Sequence, residues 1–188
     1  LCDINGDGKV TAEDQTVIGH GLPIHTGGFT NNFSYKGFDL SIFFQWSYGN
    51  DVINYNRAKL EDLRGQHTNQ LASAMNHWTP RVDNGDGTYT EGNYTNYLCA
   101  VNRNLTNLNT SRVVEDASFL RLKNVQLGYN FPVKLIKRIG ISSLRLYVSG
   151  QNLWTWTKYT GYDPEVSTRN SALTRGFDYS AYPKTTSY

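Results

Sequence analysis

The sequence predicts an all-β fold, and the lengths of its connections favour a transmembrane β-barrel over a β-sandwich. Three observations carry this expectation. Apolar and polar residues alternate over several segments, the apolar content is largely aromatic and β-branched, and short links alternate with long ones. Of the 188 residues 38% are hydrophobic and 18% charged, and 18 Lys+Arg face 16 Asp+Glu for a net charge of +2. So small a bias gives no reason to expect a nucleic-acid partner. No run approaches the roughly 18 apolar residues of a membrane helix, which leaves strands of about 10 alternating residues as the way across a bilayer. The first residues do not form a signal peptide, and the chain starts abruptly, as a fragment would.

Residues 1–19 read as a calcium-type loop and its lead-in. In D-I-N-G-D-G-K-V-T-A-E-D, Asp3, Asn5, Asp7, the Lys9 carbonyl, Thr11 and Asp14 fall at the ligand positions of an oxygen-lined loop, with Gly8 near the sharp turn. The pattern suits one structural Ca²⁺, and it equally suits a rigid Asx/Gly turn without an ion. Two strands follow, over 27–36 and 38–48, joined by a hairpin at Lys36-Gly37. Phe38, Leu40, Ile42, Phe44, Trp46 and Tyr48 share one face of the second, opposite Asp39, Ser41, Gln45 and Ser47.

Residues 50–117 lose this rhythm and form a predicted long extracellular loop. An amphipathic helix is expected over about 57–76 from Leu60, Leu63, Leu71 and Met75, and Asp83 to Gly87 form a turn cluster. Strand character returns over 118–131, where the apolar parity switches near Lys123-Asn124, so a β-bulge there would restore one continuous face. A short basic link containing Lys134, Lys137 and Arg138 leads to a fourth strand over 142–153, and 154–188 is a second predicted extracellular loop. All short links then lie at one end of the sheet and the long ones at the other, with Trp46, Tyr48, Tyr129, Trp154 and Trp156 suited to membrane interfaces.

Catalytic patterns are lacking, which predicts a protein that is not an enzyme. His20, His25, His67 and His77 have no zinc-site spacing, Ser149-Gly150-Gln151 is not a nucleophile elbow, and Gly6-Asp7-Gly8 lacks the rest of a phosphate loop. The carboxylates Glu61, Asp62, Glu115 and Asp116 are expected on solvated faces. Cys2 and Cys99 read as unlinked thiols. Trp78, Tyr89, Tyr94, Tyr97, Tyr159 and Tyr162 fall in predicted loops, where aromatic rings suit either ligand or partner contact or packing within the loop.

Several longer segments are more specific than this patterning. D-I-N-G-D-G-K-V-T-A-E-D-Q-T-V-I-G is followed by G-F-T-N-N-F-S-Y-K-G-F-D-L-S-I-F-F-Q-W-S-Y-G-N-D, R-V-V-E-D-A-S-F-L-R-L-K-N-V-Q-L-G-Y, S-S-L-R-L-Y-V-S-G-Q-N-L-W-T-W-T-K-Y, G-Y-D-P-E-V and D-Y-S-A-Y-P. In this order they resemble the C-terminal part of SusC/RagA-family TonB-linked outer-membrane proteins. The resemblance implies the C-terminal portion of a 22-stranded transmembrane β-barrel with long extracellular loops. It further implies a TonB-dependent importer of glycans or peptides in the bacterial outer membrane. A SusD-like surface lipoprotein would cover the loops, the TonB complex would supply energy through parts absent here, and outer-membrane lipid would surround the strands. The rival expectation is a soluble or cell-surface β-rich binding module with a calcium-stabilised loop.

Overall fold

The computed structural model describes residues 3–9, 11–61, 69–93, 111–168 and 174–188. Its main sheet is antiparallel and contains β1 (His25–Tyr35), β2 (Phe38–Tyr48), β7 (Phe119–Asn130) and β8 (Arg145–Thr157), in the order β1-β2-β7-β8. Lys36 and Gly37 both have positive φ, 47° and 90°, so the two-residue turn twists with its strands and sets Tyr35 opposite Phe38. The strand limits expected for 38–48 and 118–131 lie within a residue or so of those observed. β8 runs to Thr157, into the segment expected to be loop.

The expected bulge is present at Lys123. β7 shifts register between Leu122 and Asn124 against β8, and β2 shifts opposite it between Phe43 and Phe44. One extra residue restores the side-chain alternation on β7. Phe44, Leu122 and Trp154 therefore share a face with Leu40, Leu127 and Val148, while Gln45, Arg121 and Thr155 share the other. Many side chains on the apolar face are exposed, including Phe29, Phe33, Phe38, Leu127, Leu146, Val148 and Trp154. Trp46 covers the strand opposite it at Gly27, where even a Cβ would lie 2.3 Å from the indole.

A second sheet arises from the two stretches expected to be loops, 50–117 and 154–188. β3 (Asp51–Asn54) pairs antiparallel with β6 (Val114–Asp116) and parallel with β9 (Phe177–Asp178), while β4 (Val82–Asp83) and β5 (Tyr89–Thr90) make a separate hairpin. Val52, Ala117 and Tyr159 are buried together beside the β3 sheet. The helix expected over 57–76 is shorter. α1 (Tyr55–Leu60) starts under the Asn54 cap, whose side chain accepts from the Arg57 amide, and Glu61 ends it; Ala72–Met75 form only a 3₁₀ turn. At the helix end the Glu61 carboxylate accepts from Arg57, Arg112 and Ser73. The basic link contains α2 (Val133–Ile136), with Lys134, Lys137 and Arg138 exposed around it.

These observations correct the expected all-β C-terminal portion of a 22-stranded transmembrane β-barrel, and with it the β-barrel description and the reading of the chain as a C-terminal barrel segment. The described residues form three unclosed sheets of four, three and two strands, joined by short helices. Closure requires every strand to have two neighbours, whereas β1 and β8 each pair with one strand of the main sheet. The alternation in the sequence is real, but alternation defines the faces of a sheet and says nothing about whether its edges meet. No helix among the described residues is long and apolar enough to cross a membrane.

Candidate functional site

The polar face of the main sheet meets the segment after β8, and the junction is built on charge. Arg121 is 2% exposed, its position fixed by the bulge that turns it away from the apolar face. Its Nε donates to Thr155 Oγ1 at 3.0 Å, its Nη2 to Asp163 Oδ1 at 2.6 Å and its Nη1 to Glu165 Oε2 at 3.2 Å. Asp163 also accepts from the Glu165 amide, and Lys184 pairs with Glu165. A buried guanidinium with its donors used in this way orders the 163–165 turn against β7 and β8.

Beside this junction lies a cleft of about 510 Å³. Thr26, Gln45, Ser47 and Phe119 come to it from the main sheet, Asn50 and Val52 from the start of β3, Glu165 and Ser167 from the turn, and Arg175 and Gly176 from the approach to β9. Lys123 Nζ donates to Gln45 Oε1 at 2.5 Å, and the Gln45 amide reaches Glu165 at 3.4 Å. Ser47 donates to Asn50, which holds the β2–β3 corner. Hydroxyls, amides and charges beside limited apolar area can orient a polar ligand.

A second polar cluster joins β3, α1, β6 and Thr160. Asn54 Nδ2 donates to Glu115 and to Thr160 Oγ1, Arg57 pairs with Glu115, and Glu115 accepts from the Thr160 amide at 2.9 Å. Burial pushes the Glu115 carboxyl up, but hydrogen bonds from Thr160, Arg57 and Asn54 outweigh it and leave the group below its ordinary value. Glu61, expected on a solvated face, is 5% exposed. Glu61 pairs with Arg57 and Arg112, and Glu115 pairs with Arg57, so both carboxylates are engaged in ion pairs.

The six calcium-loop residues sit in a tightly wound turn. Asp3 accepts from the Gly6 and Gly8 amides, Asn5 from Asp7, and Asp7 from Lys9. Thr11 and Asp14 form a capping box on the 3₁₀ turn Ala12–Asp14. Asp14 also accepts from Ile4 and Asn5, and the amide of Thr11, followed by that of Ile4, holds its carboxyl below the ordinary value of 3.8. The donors are hard oxygens with lone pairs beyond those used by the amides, which suits Ca²⁺. Among the described residues no group of three or more His, Cys, Asp or Glu side chains converges as a metal cluster.

The aromatic candidates are dispersed. Tyr159 is buried, and its hydroxyl donates to Asp178 at 2.5 Å; burial first, then this carboxylate, push the phenol far above its ordinary value. Tyr162 is exposed, and so is Tyr89, which packs under Arg81 on the β4–β5 hairpin. Trp78 is half-buried. Tyr94 and Tyr97 lie outside the described residues, as do Cys2, Asp62, His67 and Cys99. Sequence reasoning missed the cleft residues Gln45, Glu165 and Arg175. The available signal was Arg121, a lone arginine in the apolar run F-L-R-L.

No family model matches the chain. Its sequence and fold are nevertheless similar to a segment of SusC/RagA-type TonB-dependent receptors. It is 38% identical to TonB-dependent receptor P3 of Formosa agariphila over 188 residues, which cover 97% of this chain and 17% of that protein. TonB-dependent receptor SusC of Bacteroides thetaiotaomicron is 26% identical over 97% of the chain and 16% of its own length. Among solved structures, the RagAB peptide transporter superposes with a TM-score of 0.76 at 29% identity, over 95% of this chain and 18% of that one. The chain thus spans under a fifth of the length of these relatives.

Proposed function

We propose that the chain is a cell-surface, β-rich binding module of a TonB-dependent importer. The homology over 97% of the chain supports this reading most strongly. In it, the whole protein resides in the bacterial outer membrane, imports glycans or peptides with energy from the TonB complex, and works with a SusD-like lipoprotein. The module's part is to hold ligand in the cleft between the main sheet and the 163–176 segment. Trp78, Tyr89 and Tyr162 supply rings for ligand or lipoprotein contact. Bacteria carrying the intact protein should deplete oligosaccharides or peptides from the medium, as read by mass spectrometry. Removing TonB, or replacing those three rings together by alanine, should lower depletion at unchanged protein level; equal depletion in all strains would refute the reading.

The 3–14 loop holds one structural Ca²⁺ through Asp3, Asn5, Asp7, the Lys9 carbonyl, Thr11 and Asp14. Ca²⁺ would draw the carboxylates together and couple the loop's folding to the ion. Isothermal calorimetry on the intact protein should give a one-site isotherm with Ca²⁺ that disappears in the Asp3→Ala/Asp7→Ala variant. No heat and no change in melting temperature in excess Ca²⁺ would contradict it.

A further inference from the structure

The cleft has an uneven charge inventory. Of the cations around it, Arg121 is matched by Asp163 and Glu165, and Lys184 by the same two carboxylates. Arg175 lines the cleft and is exposed, and among the described residues it has no carboxylate partner, in contrast to Arg57, Arg112, Arg121 and Arg145. Lys123 lies outside the lining and donates to the side-chain amide of Gln45, which does line the cleft. The charged residues that line the cleft are Glu165 and Arg175, and Glu165 is already paired with Arg121 and Lys184, which leaves Arg175 as the lining charge free to meet a ligand. A guanidinium without a counter-charge favours a carboxylate, which it can grip through two parallel hydrogen bonds.

The remaining wall narrows the ligand further. β2 is paired along both edges, to β1 and to β7, so its backbone within the cleft is already hydrogen-bonded. An extended peptide recognised by strand addition needs a free edge, and β2 offers none there. Recognition along β2 therefore falls to side chains, and β1, which brings Thr26 to the cleft, is among the described residues the strand there with an unpaired edge. Thr26, Gln45, Ser47 and Ser167 are hydroxyls and an amide beside the apolar surface of Phe119 and Val52, which matches the alternating hydroxyl and C–H surfaces of a sugar ring.

We propose that this cleft binds an acidic carbohydrate, with a sugar carboxylate paired to the Arg175 guanidinium and ring hydroxyls bonded to the Gln45, Ser47 and Thr26 side chains. The inference rests on the binding-module reading and gives that module a ligand class. The test is calorimetric titration of the intact protein with a uronate-containing oligosaccharide, its carboxyl-reduced neutral analogue and an acidic peptide of similar length. The uronate oligosaccharide should bind best, and more weakly as salt rises. Arg175→Gln should weaken it about tenfold, the loss expected for one charge-assisted contact, while Arg175→Lys keeps part of the affinity. Thr26→Trp, which fills the cleft, should abolish binding, with unchanged circular dichroism confirming that each variant is folded. Equal binding of the neutral analogue, insensitive to Arg175→Gln but lost in Thr26→Trp, overturns the acidic-ligand inference and leaves the module reading intact. Preference for the peptide overturns it as well. Sugar binding that survives Thr26→Trp overturns both.

Discussion

Tyr159 and Asp178 bring together segments far apart in the chain. Asp178 is fully buried, and its two oxygens accept from Tyr159 and from Asn56, whose own carbonyl oxygen accepts from the Ser180 amide. Tyr159 also packs on Val52 and Ala117, so its ring seals the apolar cluster while its hydroxyl serves the carboxylate. Tyr159→Phe retains the ring and removes one partner of a buried acid, which costs about 1–3 kcal/mol. Urea unfolding of the intact protein, followed by protection of the 177–180 amides, should register that loss. A midpoint unchanged from the parent would mean that the hydroxyl is dispensable. Asp163, 4% exposed, likewise answers a buried partner, pairing with the Arg121 guanidinium while Lys184 and the Glu165 amide also reach it.

Among the elements, β7 has the most demanding geometry. Its bulge at Lys123 lets Leu120 and Leu122 share a face with Val125 and Leu127 while Arg121 turns to the polar side. Lys123→Ala preserves the residue count and loses one side-chain hydrogen bond, so it should cost at most about 1 kcal/mol. Deleting Lys123 removes the extra residue and moves one half of β7 to the opposite face, which would take Arg121 from Asp163. Hydrogen exchange should then find β7–β8 amide protection lost in the deletion and kept in the alanine variant; protection in both would contradict this account of the bulge. The bulge, the hairpin turn and the four long strands were legible because each leaves a local mark, a parity switch, a Lys-Gly pair or an alternation. β3, β6 and β9 were not, because they have only two to four residues each and exist through partners more than 50 positions away. The 57–76 helix was overestimated for a related reason, since the apolar spacing of Leu60, Leu63 and Leu71 carries no trace of the stop after Leu60.

Across the whole molecule, an open four-stranded sheet presents two unlike faces. One is apolar and largely exposed, and the other carries the ion network, the cleft and the segment that returns to pair with β3. Alternation in the sequence predicted both faces, and the resemblance to TonB-linked proteins gave the right relatives. Closure into a barrel did not follow from either, because four strands with two unshared edges remain an open sheet. The candidate site was the least legible part, since its lining comes from five separate stretches between Gly21 and Gly176 and no local spacing announces it.

The central claim is that this cleft serves uptake by the protein that carries it. The most direct measurement is depletion of a mixture of neutral oligosaccharides, acidic oligosaccharides and peptides by TonB-competent bacteria expressing the intact protein, compared with its Thr26→Trp variant at equal surface abundance. The account predicts at least about a tenfold slower depletion of one ligand class when the cleft is filled, corresponding to the loss of about 1.4 kcal/mol of binding. Identical depletion of every component by the two strains would contradict it.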